Sequence, residues 1–142
     1  MARQVTPEQA KQLIDEEGYV YVDVRSEQEF EAGHPTGARN VPLLHMGALG
    51  MSPNPDFVRV MEKAFPKDAK LVVGCKAGGR SMRAAALLEQ SGFTKVVDLH
   101  AGFEGAPDAS GRVQPGWRPK GLPVSTDAPT EHTYKGLLGK LG

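Results

Sequence analysis

Residues 70 to 92 read KLVVGCKAGGRSMRAAALLEQSG, and this run decides the fold. KLVVGC is short, apolar and rich in β-branched side chains, the pattern of a buried strand. It ends at Cys75, the only cysteine in 142 residues. RSMRAAALLEQSG is rich in Ala and Leu and reads as a helix, with Gly92 as its stop. Between strand and helix lies a short loop of small residues, Ala77, Gly78 and Gly79, flanked by two cations, Lys76 and Arg80.

The same alternation extends outward. TPEQAKQLIDEEG predicts a helix with Thr6 as N-cap, Pro7 in the first turn, Gln9 completing a capping box and Gly18 at the end. A strand follows from Tyr19 to about Asp23, and Ser26 with Glu29 forms a second capping-box pattern for a short helix ending at Gly33. ARNVPL reads as a short extended piece, Leu44 to Asn54 as a Gly/Met-rich loop, and NPDFVRVMEKAF as a helix. That helix takes Asn54 as its cap and Pro55 as its first position, with Phe57, Val58, Met61 and Phe65 inward. KVVDL is another strand. Beyond Leu99 the chain is dense in Gly and Pro, which predicts a long surface loop, and the last stretch reads as a loosely held tail with one helical turn. Strands alternating with helices imply an α/β fold with a mostly parallel sheet. The expected organisation is one domain over residues 1–125 and a tail over 126–142.

Composition bounds the function. Seventeen basic and 17 acidic residues give zero formal charge, so no basic field points to nucleic acid. No apolar run approaches the roughly 18 residues of a membrane span, and the N-terminus lacks the apolar segment of a secretory signal. One cysteine excludes an internal disulfide framework and a cysteine-based zinc cluster, and the four histidines are scattered without ligand spacing. The expectation is a cytoplasmic protein, monomer or homodimer, with no nucleic-acid or membrane partner.

The thiol loop carries the chemistry. In an open α/β sheet, ligands bind in the crevice at the carboxyl ends of the strands, where Cys75 would sit. The N–H groups and dipole of the following helix point back at the loop. Gly78 and Gly79 can adopt positive φ and turn further N–H groups inward as an anion nest. Lys76 and Arg80 add charge. Each effect favours thiolate over thiol and describes a nucleophile facing an anionic substrate.

Three ordered blocks resemble the single-domain rhodanese family. Cys75-Lys76-Ala77-Gly78-Gly79-Arg80 is similar to that family's active-site loop, usually Cys-Arg-x-Gly-x-Arg. YVDVRSEQEFEAGHPTGARNVP is similar to its first signature, and GFTKVVDLHAGFEG followed by GWRPKGLPV to its closing segment. The resemblance spans roughly Val5 to Val124. It implies the rhodanese fold, a five-stranded mostly parallel sheet with helices on both faces. It also implies sulfurtransferase chemistry through a Cys75 persulfide, without a metal or organic cofactor. Sulfur would come from a small anionic, thiosulfate-like donor and pass to a thiol, cyanide or a partner protein. Residues 76 to 80 would bind the donor, with Lys76 and Arg80 as charge partners for it and for the departing sulfite. Asp23 and Arg25 are read as structural ties between loops and His34 as ordering its turn, whereas His100 is a candidate to touch the donor. Met46, Met51 and Trp117 are read as packing residues.

The chain departs from the family pattern in places. Pro35 in GHPTGA is displaced by one position, Lys76 lacks the bidentate fork of arginine, and Ala101 replaces a glycine. Residues 104–120 form a longer loop, expected to serve the donor pocket or a partner surface. Two other functions compete. A cysteine-dependent phosphatase or arsenate reductase would share the thiolate and the anion nest, but phosphatase loops place five residues between Cys and Arg, and here only residues 76–79 intervene. A persulfide carrier serving a partner protein would need the same thiol, and no second cysteine is present to discharge it internally.

Overall fold

The computed structural model describes residues 2–141. Strand β1 (Arg3–Val5) leads into α1 (Pro7–Glu17). Thr6 caps α1 through the reciprocal Thr6–Gln9 box, and Gly18 closes it at φ 75°, a left-handed conformation that glycine adopts without steric cost. Next come β2 (Val20–Asp23) and α2 (Glu27–Ala32), the latter opened by the Ser26–Glu29 box. Short strands β3 (His34–Pro35) and β4 (Arg39–Asn40) precede a hairpin of β5 (Leu44–Gly47) and β6 (Gly50–Pro53). The second half runs α3 (Phe57–Ala64), β7 (Lys70–Gly74), α4 (Gly79–Gln90) and β8 (Lys95–Leu99). A hairpin of β9 (Gly105–Pro107) and β10 (Val113–Pro115) follows, then β11 (Val124–Ser125), a 3-10 turn (Thr130–His132) and α5 (Tyr134–Gly139).

The main sheet has the order β1-β8-β7-β2-β4, and every pairing in it is parallel. Alternation of side chains splits the core in two. Leu71, Val73 and Cys75 face one cluster, closed by Phe57, Val60 and Met61 of α3, Ala84, Ala85 and Leu88 of α4, and Tyr134 and Leu137 of α5. Val72 faces the other, closed by Ala10 and Leu13 of α1, Phe30 of α2, and Phe103 and Trp117. Helices therefore cover both faces, as the α/β reading requires. Register aligns Gly74 with Asp23 on one side and Leu99 on the other. The chain just beyond these ends, Cys75, Val24 and His100, forms one edge of the sheet.

Four expectations need correction. Strand β1, which sequence patterning missed, adds to β8 at the sheet margin. The Gly/Met-rich segment is a hairpin, with Met46 opposite Met51 across an antiparallel ladder. Asn54 is not the cap of α3; Asp56 holds that position without a side-chain bond. Asn54 Oδ1 instead accepts from the Asp56 N–H, and its Nδ2 donates to Pro42 O and the Tyr134 hydroxyl. The final stretch is not loosely held, because Tyr134 and Leu137 are buried in the core. Within the Gly/Pro-rich region the β9–β10 hairpin and the buried Trp117 give order to the expected loop.

Candidate active site

Cys75 follows directly from β7, and its carbonyl accepts from Phe103 N at 2.7 Å. Its side chain is 1% exposed. The Gly78 N–H donates to Cys75 Sγ at 3.0 Å, so the loop folds back over the sulfur. Gly78 is the N-cap of α4 at φ 95°, and Gly79 is the first helical residue. Only Gly78 of the two uses a positive φ, which corrects the expectation for Gly79. The sulfur therefore sits at a helix N-terminus, where free N–H groups and the dipole favour negative charge. Lys76 and Ala77 are exposed, Gly78 is buried, and Gly79 is exposed.

Two close backbone approaches hold this loop against the segment after β8. A Cβ on Gly78 would lie 2.5 Å from the His100 carbonyl oxygen, and one on Gly102 would lie 2.6 Å from the carbonyl oxygens of both Cys75 and Lys76. Neither position has room for a side chain. A Cβ on Gly74 would lie 2.0 Å from the Tyr21 hydroxyl, so the residue before Cys75 is also constrained to glycine.

Arg80 does not project freely into solvent. Its guanidinium donates to Glu29 Oε1 at 2.6 Å and Oε2 at 3.0 Å, a two-bond ion pair between α4 and α2. Burial works against ionised Glu29, but the Arg80 hydrogen bond and the Ser26 N–H and hydroxyl outweigh it and hold the carboxyl at about 2. Arg80 is kept charged first by its bond to Glu29, against burial, and then by the charges of Glu29 and of Cys75 as thiolate. The capping-box carboxylate of α2, Glu29, thus also anchors Arg80. Sequence reading gave Glu29 only its capping role, because nothing local links residues 51 apart in the chain.

The signature residues sit behind the site. Asp23 and Arg25 form a buried pair, Arg25 Nη2 reaching Asp23 Oδ2 at 2.7 Å and the Gly33 carbonyl at 2.6 Å. Burial opposes the Arg25 charge, and Asp23 outweighs it. The guanidinium also lies 4.3 Å from the Phe103 ring centroid. His34 is buried, stacked on Phe30, with its nitrogens 2.7 Å from Phe30 O and 3.0 Å from Asp127 O. His100 packs behind Gly78, its Nε2 3.2 Å from Pro107 O and its Nδ1 3.4 Å from Gln4 Nε2. Trp117 is core, donating from Nε1 to Pro123 O. Met46 and Met51 are exposed on their hairpin rather than packed.

A cleft of about 390 Å³ opens beside the loop, lined by Arg25, Glu29, Lys76, Phe103, Glu104 and Arg118 among others. Glu104 and Arg118 come from the long segment 104–120 and pair with each other, Arg118 Nη2 donating to Glu104 Oε2 at 2.7 Å. The sequence reading had offered segment 104–120 to the donor pocket or a partner surface without naming these two residues, which flank the β9–β10 hairpin. The arrangement offers a sulfur nucleophile at a helix N-terminus, next to a charged cleft with Lys76 at its edge.

The sequence profile of the rhodanese-like domain matches residues 6–106. Thiosulfate sulfurtransferase 16, chloroplastic, of Arabidopsis thaliana is 41% identical over 107 residues, 75% of this chain and 80% of that protein. Thiosulfate sulfurtransferase GlpE of Pseudomonas fluorescens is 37% identical over 102 residues, covering 72% and 82%. The chain spans about half the length of some other curated relatives it matches. Among solved structures, Rv0390 from M. tuberculosis superposes with a TM-score of 0.72 at 31% identity, over 89% of this chain and 98% of that one. Profile, relatives and fold agree with one another, and the chain belongs to the rhodanese-like domain family.

Proposed function

We propose that the protein is a sulfurtransferase that carries one sulfur atom on Cys75, taken from a thiosulfate-like donor. The observation that supports this reading most is the Gly78 N–H on the Cys75 sulfur, at the N-terminus of α4. Relatives named as thiosulfate sulfurtransferases point the same way. The Cys75 thiolate attacks the outer sulfur of thiosulfate. The S–S bond of the donor breaks and sulfite leaves with the bonding electron pair. The terminal sulfur of the resulting persulfide is anionic and takes its stabilisation from the loop N–H groups and the helix dipole. A thiolate or cyanide then attacks that terminal sulfur, and Cys75 departs as thiolate. This is two-step covalent catalysis with ping-pong kinetics.

Lys76 gives an anionic donor a charge at the cleft edge, and Arg80 acts as half of its ion pair with Glu29. With Cys75 1% exposed, small donors are favoured over bulky ones. The acceptor comes from outside, because the chain holds no second cysteine.

Intact mass spectrometry after incubation with thiosulfate tests the reading. A gain of one sulfur on the wild type, absent in Cys75→Ser and reversed by cyanide, supports it. No adduct on a Cys75 that still alkylates readily overturns the thiosulfate assignment. Turnover of p-nitrophenyl phosphate that disappears in Cys75→Ser would replace the reading with phosphatase chemistry.

A further inference from the structure

Beneath the cysteine loop lies a buried pair that the chemistry above does not use. Asp98 belongs to β8, opposite Val73 of β7, and is 2% exposed. Ser81, in the first turn of α4, is fully buried. The Ser81 Oγ lies 2.7 Å from Asp98 Oδ1 and 3.2 Å from the Gly78 carbonyl oxygen. The Gly78 N–H is the group that donates to the Cys75 sulfur. A short chain of contacts therefore runs from the sheet to the nucleophile.

We infer that Ser81 and Asp98 are positioning residues for Cys75, holding Gly78 so that its N–H meets the sulfur, and that their hydrogen bond, not the charge of Asp98, does this. The inference rests on the sulfurtransferase reading only for its effect on turnover.

Two features argue for the hydrogen bond over the charge. First, the second carboxyl oxygen, Asp98 Oδ2, is the one buried side-chain oxygen or nitrogen without a partner among the described residues. A buried polar atom left unpaired costs stability, so a carboxyl here is poorly suited as a structural ion. Second, the surroundings disfavour ionisation. Burial pushes the carboxyl above its ordinary value, opposed by the Ser81 hydrogen bond and the His100 charge.

The geometry says why Gly78 needs such support. Its φ of 95° is open to few residues other than glycine, and glycine is also the residue with the most freedom to leave it. The His100 carbonyl blocks one side of Gly78. With Asp98 protonated and donating to Ser81 Oγ, the single Ser81 hydroxyl proton is free for the Gly78 oxygen, and it and the Met82 N–H, each 3.2 Å from that oxygen, hold the other side. Ser81 is in turn pinned to the sheet by Asp98.

The test compares wild type with Ser81→Ala, Asp98→Ala, Asp98→Asn and the double Ser81→Ala/Asp98→Ala variant. Each is scored by the rate of Cys75 alkylation with iodoacetamide and by kcat and KM for thiosulfate with cyanide as acceptor. Ser81→Ala and Asp98→Ala are expected to slow alkylation and kcat about tenfold, the size of one lost hydrogen bond, with KM within about twofold. The double variant should be no worse than either single one, as expected for one coupled unit. Asp98→Asn keeps the shape and a hydrogen-bonding partner for Ser81 and should stay within about twofold of wild type. Wild-type alkylation in Ser81→Ala, or an Asp98→Asn as impaired as Asp98→Ala, overturns the inference. Alkylation needs no sulfur donor, so the two readings fail separately. The expected alkylation order in a protein that forms no persulfide would remove the sulfurtransferase reading and leave this one standing. Full turnover by Ser81→Ala would do the reverse.

Discussion

Glu29 and Arg80 stand 51 residues apart in sequence and meet through two hydrogen bonds of 2.6 and 3.0 Å, tying α2 to the helix that carries the cysteine loop. Both side chains are mostly buried, at 19% and 16% exposure. The pair has a pH signature. Glu29 titrates at about 2 when folded, against an ordinary value of 4.5. Its contribution is therefore complete above pH 4.5 and is lost as pH falls towards 2. The shift corresponds to at most about 3 kcal/mol. Urea unfolding across this range should show the stability gap between wild type and Glu29→Gln closing as pH falls. A gap independent of pH would mean that Glu29 contributes by packing alone.

Gly78→Ala should disable the site and weaken the fold together. The new Cβ would meet the His100 carbonyl at 2.5 Å from a backbone already at φ 95°. The expected cost is about 1–3 kcal/mol, with Cys75 alkylation slowed because the Gly78 N–H is displaced. Urea unfolding and iodoacetamide kinetics measure the two effects. In contrast, Gly79→Ala sits at the first helical position with nothing within 4 Å of the new Cβ and should leave stability near wild type.

Gly74 and Tyr21 should prove energetically coupled. An alanine at 74 would place its Cβ 2.0 Å from the Tyr21 hydroxyl and 2.6 Å from the ring carbon that bears it. Gly74→Ala should therefore cost at least about 1–3 kcal/mol, and measurably less in a Tyr21→Leu background. Equal cost in both backgrounds would show that the strain is relieved elsewhere.

The C-terminal helix should behave as part of the core. Leu137 is 4% exposed, and the Tyr134 hydroxyl lies 3.0 Å from Asn54 Nδ2. Leu137→Ala is expected to cost about 2–5 kcal/mol and Tyr134→Phe about 1 kcal/mol in urea unfolding. A segment that merely trails the domain would show neither loss.

The α/β plan was legible because its signals are local. The Thr6–Gln9 and Ser26–Glu29 boxes each close within four residues, and β7 and β8 are buried strands with no competing helical period. Cys75 was legible for the same reason, since strand, loop and helix N-terminus are contiguous. Strand β1 escaped because three residues, two of them exposed, carry no period. The β5–β6 hairpin escaped because its Gly and Met residues lack strand propensity and its faces are largely exposed. Asn54 was misplaced because an asparagine before a helix looks like a cap, whereas its partners, Pro42 and Tyr134, lie 12 and 80 residues away.

The alternating strands and helices, the single thiol at a strand end and the glycine-bearing loop after it were readable from the sequence alone. Those features depend on backbone preferences and spacing within a few residues. Which groups surround the thiol loop depends on the packing of distant segments. Glu29 holds Arg80, Asp98 and Ser81 stand under Gly78, and Glu104 and Arg118 line the cleft. Each of these contacts is made across strand and helix boundaries, where only the packing of the sheet against its helices and loops brings distant residues within hydrogen-bond reach.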